Sequence, residues 1–98
     1  MPICCELCGR EVETTTIHHL VPRTTHKQVS KKTGIAKTEL AARTADLCVP
    51  CHKTIHRHIS EKELAASYDT IEKLLTHPTI ADFVYWVQRQ PDRPITIR

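Results

Sequence analysis

Three short pieces of this chain carry residues that could bind metal. Cys5-Glu6-Leu7-Cys8 places two cysteines three apart. Leu47-Cys48-Val49-Pro50-Cys51 repeats that spacing, and His52 and His56 follow it four apart. Between them, His18 and His19 stand side by side ahead of Leu20-Val21-Pro22. The chain thus offers one ligand set of sulfur and one of imidazole. Structural zinc takes four thiolates in a tetrahedron. Cys5, Cys8, Cys48 and Cys51 can supply them, each pair chelating from a tight turn. Cys4 is the spare, because pairing through it would need C-x3-C and would not match the second pair.

The imidazoles form a different kind of set. His52 and His56, at i and i+4 on a helix, share one face. His18 and His19, adjacent on a strand, point to opposite sides. One of them can join His52 and His56 at a metal while the other stays free nearby. Three imidazoles leave positions open for a phosphate oxygen and water, which is the form of a catalytic site. A free imidazole, with a reference pKa of ~6.5, suits proton removal from water near neutral pH. Base and Lewis acid on either side of a phosphodiester amount to a hydrolase. The plainer alternatives are satisfied structural histidines or a second structural zinc site.

The elements that position these groups follow from local signals. Residues 3–10 read as a zinc knuckle, with Gly9 allowing the tight turn. Residues 11–20 are rich in Thr, Val and Ile, and Thr14–His19 reads as a strand ended by Pro22. Residues 23–45 hold Lys27, Lys31, Lys32, Lys37 and Arg43 against one acid, Glu39. Thr33-Gly34 reads there as a turn, and the segment as a β-ribbon or long loop returning to a second strand near Thr38–Ala42. Cys48–His58 reads as a turn and then a helix, with Pro50 in its first turn. Cys51 and Ile55 share an adjacent face of that helix, toward zinc and core. Ser60 and Glu63 form a capping box opening a helix to about Thr76, through Leu64, Tyr68, Ile71, Leu74 and Leu75. Pro78 opens another, with Ile80, Phe83, Val84 and Val87 as its stripe. Pro91 and Pro94 close it, and Ile95-Thr96-Ile97 reads as a short terminal strand.

The bulk numbers fit a small domain with a modest core, for which a structural metal is a plausible aid: 98 residues, formal charge +3 and pI about 8.7. The charge allows a polyanionic partner. Five cysteines without a recognisable signal peptide favour thiolate-bound zinc in a reducing cytosol over disulfides, and the expected location is cytoplasmic. No apolar run approaches the ~20 residues of a membrane helix.

C-x-x-C, His-His-Leu-Val-Pro and Leu-Cys-x-x-Cys-His-x3-His together resemble the HNH nuclease superfamily, over about residues 5–58. The resemblance implies a ββα-metal fold, with His18 as a metal ligand and His19 as the general base. His52 and His56 resemble the closing H-x3-H of the colicin DNases and become the remaining ligands. Cys5, Cys8, Cys48 and Cys51 match the zinc-stabilised branch. One departure is plain, since the family's central asparagine has no counterpart and the chain contains no asparagine. Thr44 or Asp46 occupies that neighbourhood, and both accept hydrogen bonds. His26 reads as a surface histidine that could contact phosphate.

The resulting expectation is an α+β protein with one domain, residues 1–98. A zinc-anchored ββα-metal core spans 3–58, and two supporting C-terminal helices lie in 59–98. Its expected activity is metal-dependent hydrolysis of DNA phosphodiesters, nicking one strand as a monomer with low sequence specificity. Arg23, Lys27, Lys31, Lys32, Arg43 and Arg57 would contact the DNA backbone. The structural ion would be Zn²⁺ and the catalytic ion Mn²⁺ or Mg²⁺, with Ni²⁺ and Zn²⁺ also compatible. Imidazole ligation favours the transition metals. The rival readings are a zinc-stabilised nucleic-acid-binding module without catalysis and a structural protein holding two zincs.

Overall fold

A computed structural model describes residues 3–90 of the chain. The readings at Pro91, Pro94 and 95–97 lie outside those residues. The fold is a small mixed α+β arrangement with two separate two-stranded sheets.

The first sheet is the knuckle. β1 (Ile3–Cys4) pairs antiparallel with β2 (Glu11–Val12), and Cys5 to Gly9 turn between them. Gly9 adopts φ 77°, the left-handed region that costs glycine nothing, and its amide donates to the Cys5 carbonyl at 2.8 Å. The Cys8 amide faces the Cys5 sulfur at 3.5 Å.

The second sheet joins β3 (Thr16–His19) to β4 (Thr44–Leu47), with Thr16 across from Leu47 and His19 across from Thr44. The predicted strand at Thr14–His19 therefore begins two residues late. The knuckle is tied to this sheet, because the Glu6 amide donates to the Asp46 carbonyl at 2.9 Å and the Asp46 amide donates to the Glu6 carboxylate.

The segment between the two strands, expected as a β-ribbon or long loop, is helical instead. A 3-10 turn (Arg23–Thr25) leads into α1 (His26–Thr33), and α2 (Lys37–Ala42) follows. Lysine, glutamine, alanine and leucine are good helix formers, and Thr33-Gly34, read as a turn, is a helix end. Gly34 sits at φ 78° and its amide donates to the Ser30 carbonyl, closing α1. Lys31 and Lys32 fall in the last turn, where cations suit the helix dipole. Leu40, fully buried, anchors α2. Thr38–Ala42 is thus helix, and the second strand begins at Thr44. His26 is buried rather than at the surface. Its Nε2 pairs with the Val21 carbonyl at 2.7 Å, so it holds the start of α1 to the end of the histidine strand.

α3 (Val49–His58) follows β4 closely, with Pro50 in its first turn, and it packs on both β3 and the later helix Pro78–Val87. Among the described residues after α3 there are three helices where two were expected: α4 (Glu61–Ser67), α5 (Ile71–Leu74) and α6 (Pro78–Val87). Ser60 caps α4 by accepting from the Glu63 amide at 3.2 Å. The predicted helix to Thr76 breaks at 68–70, because Thr70 caps a new helix by accepting from the Lys73 amide at 3.1 Å. Leu64 and Leu74 stay in one core across the break. That core also takes Leu47, Ile55, Ile80, Val84, Val87 and the four buried cysteines. Among the described residues, no helix is long and apolar enough to cross a membrane.

Candidate metal centres

The four cysteines of the two C-x-x-C pairs meet in one buried cluster. Their sulfurs all lie within 4.8 Å of one another, and each residue is at most 4% exposed. Cys8 Sγ and Cys48 Sγ are 3.9 Å apart and none of the cysteines is bridged. A sulfur tetrahedron around zinc has an edge of about 3.8 Å, from Zn–S near 2.3 Å, whereas a disulfide holds its sulfurs at ~2.05 Å. The site could hold a structural metal such as zinc. Cys4, one residue away, is exposed and takes no part.

The electrostatics point the same way. Hydrogen bonds from Cys48, then Cys51 and Cys8, push the Cys5 thiol far down, and the bond from Cys48 brings Cys8 to about 7. The same bonds push Cys48 up, chiefly through Cys5, and Cys51 up, chiefly through Cys48. Without a cation the cluster must share protons, since four buried thiolates repel. A dication removes that conflict and lets all four ionise. α6 braces the knuckle from outside: Gln88 Nε2 donates to the Cys8 carbonyl at 3.0 Å. Nothing in the spacing of Gln88 announces this role.

The imidazoles form the second centre. His18 points from β3 toward α3, where His52 and His56 sit one turn apart. Ring centroids are 5.2 Å for His18–His52, 5.3 Å for His18–His56 and 4.9 Å for His52–His56. One nitrogen from each ring lies within 4.8 Å of the others. His18 is 0% exposed, and neither of its ring nitrogens has a hydrogen-bond partner. Burial pushes its pKa down to about 4, with His52, His56 and His19 adding to the effect. Burial, then His56 and His19, also lowers His52. Burial thus favours the neutral form of His18 and His52, with lone pairs available, which is the state a metal needs. A donor set of one buried orphan and two neighbouring imidazoles fits a divalent transition ion.

His19, next along β3, is half-buried and lies outside this trio. Thr44 sits across from it in the strand register and Asp46 sits across from Ile17. The Thr44 hydroxyl makes no hydrogen bond to the His19 ring, and the Asp46 backbone is engaged with Glu6.

Two residues that the motifs leave out line the site. Thr16 shares the His18 side of β3, two residues before it, and its Oγ1 lies 2.6 Å from His52 Nδ1. The strand's two-residue period is the signal that could have found it. Lys53, with Thr16, Val49, His52 and His56, lines an open pocket of about 260 Å³ beside the trio. Of the six cations expected to meet DNA, Arg23, Lys27, Lys31, Lys32 and Arg57 are exposed. Arg43 is half-buried, 3.8 Å from Glu39 in a solvent-facing pair that contributes little.

No protein-family model matches the chain, and no solved structure matches it. A protein of Bacillus subtilis (strain 168) described as "Uncharacterized protein YisB" is 41% identical to it over 87 residues, covering 89% of this chain and 75% of that protein. At that identity and coverage the chain belongs to the YisB family.

Proposed function

We propose that this protein is a metal-dependent endonuclease acting on the DNA backbone, with its β3–β4–α3 unit serving as a ββα-metal site. The observation that carries the reading is His18: a fully buried imidazole, unpartnered at both nitrogens, with His52 and His56 beside it. Buried polar groups are normally hydrogen-bonded, and each one left unpaired costs about 1–3 kcal/mol. A structural histidine would find a partner, as His26 does; a metal ligand is held without one until its ion arrives.

His18, His52 and His56 would hold the ion, which when bound supplies Lewis-acid stabilisation of charge on a phosphate. His19 would act as general base. It leaves the strand on the side opposite His18, yet it is near enough to contribute to the lowered pKa of both His18 and His52. Its ring would take a proton from water as the water oxygen bonds to phosphorus and the bond to the 3′ oxygen breaks. Lys53 lines the pocket next to the trio and would hold a phosphate oxygen. Arg23, Lys27, Lys31, Lys32 and Arg57 would hold the flanking backbone, giving affinity without sequence readout. The cysteine cluster fixes the start of α3 and so the positions of His52 and His56.

Supercoiled plasmid incubated with the protein in Mn²⁺, Mg²⁺, Ni²⁺, Zn²⁺ or EDTA tests the reading. Nicked circles that need a divalent ion and disappear with EDTA are expected. One site per chain cuts one strand, so nicks should precede linear product. A second reading, a binding module without catalysis, is favoured by one observation: the chain has no asparagine. Plasmid retarded on a gel but uncut in every metal would select that reading.

A further inference from the structure

We infer that Thr16 is a positioning residue for the imidazole centre, fixing His52 with Nδ1 protonated and Nε2 free to bind the ion. The inference rests on the proposed metal role of His18, His52 and His56. It starts from two contacts of one hydroxyl. Thr16 Oγ1 donates to the Leu47 carbonyl at 3.3 Å and lies 2.6 Å from His52 Nδ1. A hydroxyl has a single proton, and a carbonyl can only accept. Both bonds are made together only if Thr16 donates to Leu47 and accepts from a protonated Nδ1. A neutral imidazole with Nδ1–H carries its lone pair on Nε2. If Thr16 instead gave its proton to Nδ1, the Leu47 bond would be lost and Nε2–H would displace the lone pair from the centre.

The anchor is rigid. Thr16 and Leu47 are directly paired across the β3–β4 register, and Leu47 immediately precedes Cys48, which opens α3. The His52 amide donates to the Cys48 carbonyl at 3.0 Å. Thr16 therefore links the strand that carries His18 to the helical turn that carries Cys48 and His52. Metal-bound histidines characteristically donate their other ring N–H to an oxygen, and loss of that oxygen lowers metal affinity about 10–100-fold.

The test uses the full chain, zinc-loaded at its cysteines, with Ni²⁺ titrated into the imidazole centre by calorimetry. Thr16→Val keeps the branched shape and removes the hydroxyl, and Thr16→Ser keeps the hydroxyl. Nitrogen-15 NMR of the wild type reads the His52 tautomer directly, and does so even if the valine variant folds poorly. The inference predicts a protonated Nδ1 in the wild type, a Kd for Ni²⁺ raised about 10–100-fold in Thr16→Val, and near wild-type binding in Thr16→Ser. Protonation at Nε2, or an unchanged Kd in a folded Thr16→Val protein, overturns the inference and leaves the metal reading standing. Failure of the wild type to take up Ni²⁺ at this centre overturns both.

Discussion

Replacing His18 with leucine should stabilise the protein when its imidazole centre holds no ion and weaken it, relative to the wild type, when an ion is supplied. His18 is fully buried and unpartnered at both nitrogens. Each unpaired buried group costs about 1–3 kcal/mol, so the lower bound for the ring is about 2 kcal/mol. Leucine has similar volume and no polar atom, and imperfect packing should return at most about 1.5 kcal/mol of that gain. A net stabilisation of about 1 kcal/mol is expected in zinc-loaded protein without other divalent ions. An ion that binds only the folded wild type adds about 2.7 kcal/mol at a concentration of one hundred times its Kd. The variant lacks a ligand and gains much less, so the order of stability should reverse. Urea unfolding followed by circular dichroism, with and without Ni²⁺, measures both differences, provided the slopes stay equal. A leucine variant less stable than the wild type without Ni²⁺, together with equal gains on adding it, would refute the reasoning.

Three further outcomes follow from the same geometry. Cys51→Ser should abolish tight zinc retention and destabilise the protein by at least ~3 kcal/mol, the scale of removing one partner from a buried charged cluster, whereas Cys4→Ser should change neither; zinc content and urea midpoints check this. Without an ion at the imidazoles, stability should rise with pH. The unfolded His18 takes its proton near 6.5 but the folded ring takes it only near 4. Its contribution is therefore fully present above about 6.5 and is lost as pH falls to about 4. The drop is about 3 kcal/mol from this residue, and it should vanish from the pH dependence of His18→Leu. Lys53→Ala should weaken DNA binding at all sequences alike and reduce the salt slope by about 1, with no change in metal uptake, as titrations at several salt concentrations would show.

The parts of this molecule readable from sequence are those whose spacing carries the geometry. Two C-x-x-C turns and an H-x3-H on a helix fix their own chelating shape locally, so the sulfur and imidazole groups can be named before any fold is known. The Ser60 cap and the proline opening α6 are equally local. The basic segment misled because Thr33-Gly34 is ambiguous. The same glycine serves a hairpin turn or a helix end, and the burial of Leu40 and the packing of α1 on α2 decide it. The break at 68–70 was hidden because Leu64, Tyr68, Ile71 and Leu74 keep helical spacing across it. There Thr70 competes for the amide of Lys73 and wins. His26 and Gln88 act through partners 5 and 80 residues away, contacts that no local pattern encodes, and for Thr16 the strand period gives the face but not its partner 36 residues on.

The most direct measurement of the central claim is the rate of plasmid nicking by His19→Ala against wild type, with Mn²⁺ bound to equal occupancy in both. Loss of a general base should slow nicking by at least ~10²-fold while zinc content and Mn²⁺ uptake stay the same. Nicking at the wild-type rate by the variant, or its absence from the wild type in every metal, would contradict the account.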